Sequence, residues 1–370
     1  DFEIDLGVTR TQFGFAIGLQ LLLWGLFGPL FGIMTDKYGG NKAVFIGFLF
    51  YLLGIYFLYS GPNTGTFFTI DMGILIGIGL GSTAISIPVS IVAKHFPSST
   101  RTMATGIVTA AGSFGYFVSP VLTRQSLIEN GWEFTLIFFG IAILLGLLIS
   151  FFLMTPMKNS GKIYENNNDQ TAIEAIKEAF SNKSYVYLTL GFFVCGWHIA
   201  LVATHIPTYV RDRGLEDWTA AAILALIGLF NIFGTLTSGY LSTRYSKKKI
   251  LSWIYLLRGI SIAFFIFMPP STINAMIFGT TFGFLWLATV PPTNGIVGHI
   301  FGTKYIALLY GFVFVSHQIG SFLGAYLGGL FYDIFGSFDY AWYISMALSL
   351  FAGLIHLPIR EKEIIRLKVA

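Results

Sequence analysis

The chain has 370 residues, of which 55% are hydrophobic, 17% aromatic and only 11% charged. A soluble domain needs charged residues near a quarter of its length to cover its surface, so this composition excludes a water-soluble protein and demands a surface that faces lipid. The net charge of +4 is not gathered into a basic patch interleaved with exposed aromatics, which excludes nucleic acid as a partner, and Cys195, the only cysteine, excludes an intramolecular disulfide.

Splitting the chain at charged or Gly/Pro/Asn-rich interruptions predicts five apolar helical spans in the first half, near residues 11–34, 43–60, 66–93, 103–125 and 134–154. Six more follow near 185–209, 219–241, 250–268, 273–298, 305–331 and 340–358. Each is close to the ~20 residues that cross a bilayer as helix. The longest interruption, 155–184, alone has soluble character; its Glu174, Lys177 and Glu178 have the spacing of a short surface helix. The predicted organisation is therefore an N-terminal bundle over 1–154, a linker over 155–184, a C-terminal bundle over 185–359 and a tail over 360–370. If alternate loops share a side, 17 of the 22 Lys and Arg residues fall on the side of the linker and tail. The positive-inside rule makes that side cytoplasmic, as in a multi-pass protein of a bacterial inner membrane.

The halves repeat at an offset of 204–207. GIMTDKYGGNK (Gly32–Lys42) parallels GYLSTRYSKKK (Gly239–Lys249), Pro88 and His95 parallel Pro292 and His299, and Gly106 and Gly115 parallel Gly311 and Gly320. Parallel repeats about an axis along the membrane normal are an architecture of two-bundle secondary transporters. The counterpart of span 185–209 would precede residue 1, so the repeat predicts a twelve-span protein of which eleven spans are present and the first is missing.

The loop GIMTDKYGGNK resembles the cytoplasmic signature of the major facilitator superfamily, with Gly32, Asp36, Lys37, Tyr38, Gly39 and Lys42 in place, and the degraded copy keeps Gly239, Arg244, Tyr245 and Lys249. The resemblance implies an all-α polytopic membrane protein of two pseudo-symmetric helix bundles. It also implies a conformational latch at this loop, in which Asp36 pairs with Arg101 or with the positive end of the helix starting near Lys304, and Arg244 occupies the second copy. Within the superfamily, VTRTQF (Val8–Phe13), THIPTYV (Thr204–Val210), WLATVPPTNG (Trp286–Gly295) and FVSHQIGSFLGAYLGG (Phe314–Gly329) resemble the bacterial branch of monocarboxylate transporters and oxalate/formate exchangers. By that resemblance Asn231 keeps one position of the substrate-binding eighth helix, Thr235 stands where relatives carry a carboxylate-gripping arginine, and His317 stands where the exchangers carry a lysine.

Ionisable residues within spans are expensive and point to function. Arg258 lies deep in its span, either as a substrate countercharge or as a tie to backbone carbonyls of a neighbouring helix. His317 and His205 are read either as proton-coupling groups or as neutral core histidines bonded to carbonyls, and Asp71 either as a third coupling group or as a cap. Gly73, Gly77 and Gly81, spaced by four, permit close helix approach. No nucleophile with a base, no metal-ligand spacing and no phosphate loop is present, so neither enzyme chemistry nor a cofactor is expected. The expected function is secondary transport of a small organic anion, a monocarboxylate, by a proton-coupled monomer in the lipid bilayer. Two alternatives stand beside it: an exporter of neutral or amphipathic compounds, suggested by GYFVSP at Gly115–Pro120, and a membrane sensor or partner protein.

Overall fold

A computed structural model describes residues 8–38, 40–62, 64–83, 96–153, 170–302 and 304–364. They form helices α1 (Arg10–Tyr38), α2 (Gly40–Ser60), α3 (Gly65–Gly81), α4 (Ser98–Leu153), α5 (Ala172–Ser181), α6 (Lys183–Asp212) and α7 (Asp217–Arg244). After them come α8 (Lys247–Phe267), α9 (Thr272–Leu285), α10 (Val290–Phe301), α11 (Ile306–Phe335) and α12 (Asp339–Ile355). Among the described residues there is no strand. Many large apolar side chains lie exposed on the outer faces, Leu30, Ile128, Trp253 and Ile273 among them, as a surface solvated by lipid requires.

The helices follow the predicted spans with three differences. The expected loop between residues 125 and 134 reduces to one residue, because Gly131 (φ 79°, ψ 178°) turns the chain inside α4 with helix on either side. In α3 the ladder widens to a π-helical segment over Thr69–Leu75 that contains Asp71, and the expected continuation through residues 84–93 lies outside the described residues. The span predicted as one helix over 273–298 is two: α9 ends at Leu285 and α10 begins at Val290. Pro291 and Pro292 cause this, since they lack N–H donors and their rings exclude the carbonyls four residues back.

The short helix expected around Glu174 is α5, opened by a reciprocal cap in which Thr171 Oγ1 accepts from the Glu174 N–H and Glu174 accepts from the Thr171 N–H. Within the second half, α6 and α11 pack at backbone distance: a methyl group at Gly196 would overlap the His317 carbonyl. The expected close approach at Gly73, Gly77 and Gly81 is present, where added Cβ atoms would lie 3.1, 2.9 and 2.7 Å from Ala16, Gln20 and Phe27 of α1.

Two seams join the halves, α1 against α11 and α4 against α7. The repeat relates them. Gly311 meets Pro29 in the first and Gly106 meets the Thr235 carbonyl in the second, and Pro29 and Thr235 lie about one turn before the equivalent glycines Gly32 and Gly239.

Candidate functional site

Near the middle of the spans, polar and aromatic residues of both halves meet around the break between α9 and α10. A broken helix leaves backbone groups without intrahelical partners, and three side chains answer them. Arg258 on α8 donates through Nε to the Leu285 carbonyl at 3.1 Å and through Nη2 to the same carbonyl at 2.6 Å and to the Trp286 carbonyl. Its charge sits at the negative C-terminal end of α9, which offsets part of the cost of burial. Asn231 on α7 accepts from the Leu287 N–H at 2.8 Å, and Ser238 donates to the Ala288 carbonyl. Of the two readings of Arg258, its contacts are those of the carbonyl tie. Even so, the guanidinium is 0% exposed, and among the described residues no carboxylate pairs with it and Nη1 has no hydrogen-bond partner.

Asn231 also crosses between the halves, its amide donating to Ser113 Oγ on α4 at 2.7 Å. Tyr116, one turn further along α4, meets Trp286 edge-on at 6.4 Å. On the other seam His317 shares a 2.7 Å bond between Nδ1 and Gln318 Oε1, and Gln318 Nε2 donates to the Leu21 carbonyl on α1 at 2.7 Å. Phe314 stacks on His317 and meets Trp24 of α1 at 5.7 Å. Cys195 on α6 meets the break from the other side: its sulfur is 3.3 Å from Thr289 Oγ1 and 4.0 Å from the Trp286 carbonyl.

The predicted site residues thus divide. Asn231, Arg258 and His317 converge on this belt. Thr235 is buried beside it, but its hydroxyl donates to the Asn231 carbonyl of its own helix at 2.8 Å. His205 stands apart, bonded at 2.7 Å to the Ala325 carbonyl of α11 and packed on Phe338, the contacts of a core histidine. Asp71 is buried against α2, beside Gly54 and Gly61 and away from the seams. Of the latch residues, Gly39 and the side-chain surroundings of Gly32, Asp36 and Lys37 lie outside the described residues. Lys42 is exposed near the start of α2, Arg244 lies over the Tyr240 ring at 5.1 Å, and Arg101 lies against Gly298 of α10 across the two halves. Lys304 donates to the Gln170 carbonyl at 3.1 Å.

Four groups escaped sequence reasoning: Ser113, Gln318, Trp24 and the cluster at Arg10. Thr9 and Gln12 cap α1 reciprocally, leaving the Thr11 N–H for Asp333 of α11, which accepts it at 2.9 Å together with the Thr11 hydroxyl. Arg10 donates to Asp212 at 3.0 Å and lies 3.5 Å over the Tyr332 ring. The signal for the cap was T-x-x-Q within VTRTQF. Nothing in the sequence indicated its partner 322 residues away.

Residues 2–325 match the Major Facilitator Superfamily. The chain is 21% identical over 374 residues to the hexuronate transporter of Bacillus subtilis, covering 95% of this chain and 86% of that protein. It is 23% identical over 361 residues to monocarboxylate transporter 13 of Rattus norvegicus, covering 94% and 80%. Its fold is similar to the solved structure of the fucose:proton symporter FucP of E. coli, with a TM-score of 0.66 at 15% identity over 96% of this chain and 98% of that one.

Proposed function

The chain belongs to the major facilitator superfamily and is a multi-pass membrane transporter, and from that premise we propose that its cargo is a small organic anion, a monocarboxylate, carried by alternating access with proton coupling. The observation that carries this reading is Arg258, a permanent cation wholly buried at mid-span without a carboxylate partner among the described residues. An uncompensated buried charge costs several kcal/mol, and backbone carbonyls offset only part of it, so the belt around α9 and α10 favours an anion over a neutral solute. The hexuronate and monocarboxylate transporters, both named for acids, support the same class.

In this reading the bundles over 1–154 and 185–359 rock about the linker 155–184, and a monomer suffices. The substrate lies between Asn231, Thr235 and His317, with Arg258 supplying the field; His205 holds α6 to α11, and Asp71 is held in reserve as a second proton group. His317 is the coupling group, because its bond to Gln318 leads directly to α1 across the seam. The loop of Asp36, Lys37 and Lys42, with Arg101 and Arg244, latches the cytoplasmic side, and the linker and tail share that side with the basic loops.

Uptake of radiolabelled monocarboxylates into proteoliposomes tests the proposal. Uptake is expected to rise with an inward-acid pH gradient, to lose that dependence in His317→Gln, and to fall at least tenfold in Arg258→Met. Uptake of neutral amphipathic compounds in place of acids would overturn the anion reading. Acid uptake indifferent to the pH gradient would remove proton coupling.

A further inference from the structure

α10 is built as a separate piece of 12 residues. The break over 286–289 parts one end from α9. At the other end Gly302 (φ 79°, ψ −173°) turns the chain toward α11 in a conformation essentially confined to glycine. Along its length α10 meets the opposite half: a Cβ on Gly295 would overlap Thr102 of α4, and one on Gly298 would lie 3.3 Å from Arg101. A helix that is jointed at both ends and touches the other bundle needs something to hold it to its own.

The chain beyond α12 does this. Ile359 is 0% exposed, in the core that also holds Ile300 and Phe301 of α10. The Arg360 N–H donates to Ser184 Oγ in the first turn of α6 at 2.9 Å. Glu361 Oε1 accepts from the Ser246 hydroxyl at 2.7 Å and from the Lys248 N–H at 2.8 Å, and Lys248 Nζ donates to the Leu357 carbonyl at 2.8 Å. The Ile364 N–H then donates to the Ile300 carbonyl in the last turn of α10 at 3.2 Å. Two helix ends gain at once: α8 receives an anion at its positive N-terminus, and α10 receives a donor for one of its terminal carbonyls. The repeated loop shows why the anion comes from the tail. Thr243 stands where the first copy has Asp36, and 239–249 holds Arg244 and three lysines but no acid. We infer that Glu361 is a positioning residue for transport: it anchors the tail as a strap that pins the jointed α10 to α6 and α8, so that the face meeting Arg101 moves only with its own bundle.

This strap holds whatever the cargo, and its test needs no substrate. Spin-label pairs in the full chain read two distances: His299→Cys with Lys249→Cys between α10 and α8, and Lys183→Cys with Lys249→Cys between α6 and α8. All three positions are exposed, and the native Cys195 is buried out of reach of the label. With Glu361 in place, each pair is expected to give one narrow distance. Glu361→Ala is expected to add a second, longer distance between α10 and α8, its population raised about tenfold by the loss of a charge-assisted hydrogen bond, while the α6–α8 distance stays as it was. Ile364→Pro, which removes the N–H on the Ile300 carbonyl and keeps Glu361, is expected to do the same. An unaltered α10–α8 distance in either variant would overturn the inference. Equal broadening of both pairs would overturn it too, since that is the mark of a tail that only stabilises the fold. Should Glu361→Ala not fold, Ile364→Pro decides by the same two distances.

Discussion

The two seams occupy equivalent places in the repeat and close by different chemistry. The α1–α11 seam is fastened at its Arg10 end by charge: Asp333 takes the free N–H and hydroxyl of Thr11, and Arg10 reaches Asp212. The α4–α7 seam has no such ion pair among the described residues. It relies on backbone proximity, with a Cβ on Gly228 overlapping Phe117 and one on Gly239 lying 3.0 Å from the Thr102 carbonyl, and on one buried bond from Asn231 to Ser113. A repeat that supplies the same helices twice has therefore specialised each pair. Both seams pack at backbone distance, the first at Gly14, Gly18 and Gly329 as the second at Gly228 and Gly239, and each has a hydrogen bond across its middle; what the first adds is a charged cluster at its Arg10 end, whose contacts water and salt can reach and loosen.

The comparison is broken most severely at Gly228. Gly228→Leu forces the α4 backbone away, and overpacking of this kind costs about 1–3 kcal/mol or more; substrate uptake is expected to fall at least tenfold, while cysteine cross-links placed across α1 and α11 still form. Gly112→Ala on α4 is its control: nothing lies within 4 Å of the added methyl, so uptake should be unchanged and the helix gain up to about 1 kcal/mol.

Next in size, Asn231→Ala leaves the Leu287 N–H and Ser113 hydroxyl buried without their partner, a loss of about 1–3 kcal/mol readable as a lower melting temperature. Ser113→Ala should cost less, and the double mutant should show coupling of at least about 0.5 kcal/mol. Strict additivity would mean that the bond across the second seam contributes nothing.

A smaller effect is expected at the charged end. Asp333→Asn weakens the trans cap on α1 by about 1 kcal/mol, within the range for partly exposed charges at helix N-termini. That corresponds to a several-fold shift toward states open at the Arg10 end, measurable as distances between spin labels on α1 and α11. High salt should reproduce the shift in the wild type, because the Debye length falls from about 10 Å at 0.1 M to about 3 Å at 1 M. The α4–α7 distance should ignore salt.

The smallest effect lies outside both seams. The Thr171 N–H holds the Glu174 carboxyl below its ordinary range. A depressed carboxyl stabilises the native state above its unfolded pKa, and that contribution disappears as pH falls through the folded value. Exchange protection of α5 should therefore drop on acidification in the wild type; Thr171→Ala should lose about 1 kcal/mol of helix capping yet keep most of the pH response, because alanine keeps the backbone N–H, whereas Glu174→Gln should abolish it. An unaltered response in Glu174→Gln would place its origin elsewhere.

Much of this organisation is legible in one dimension. Apolar runs set the spans because lipid leaves no alternative for the backbone, and the copied motif at Gly32 and Gly239 reveals the repeat. Gly73, Gly77 and Gly81 announce a helix contact, and the interior cost of a cation singles out Arg258. The prolines at 291 and 292 were visible as well, although the run of apolar residues around them reads as one continuous span.

What remained hidden was pairing. Asp333 looks like an ordinary helix-end residue until α1 brings Thr11 to it, His205 shows no bond to the Ala325 carbonyl until α6 packs on α11, and Asn294 looks like a packing residue until its amide is found buried and without a hydrogen-bond partner among the described residues. The sequence alone determined which residues must be inside the membrane, because transfer energy is a property of each side chain and its near neighbours. Only the tertiary structure decided which of those residues are already satisfied, because hydrogen-bond partners come from helices hundreds of positions away. A buried polar group's function depends on what it still lacks.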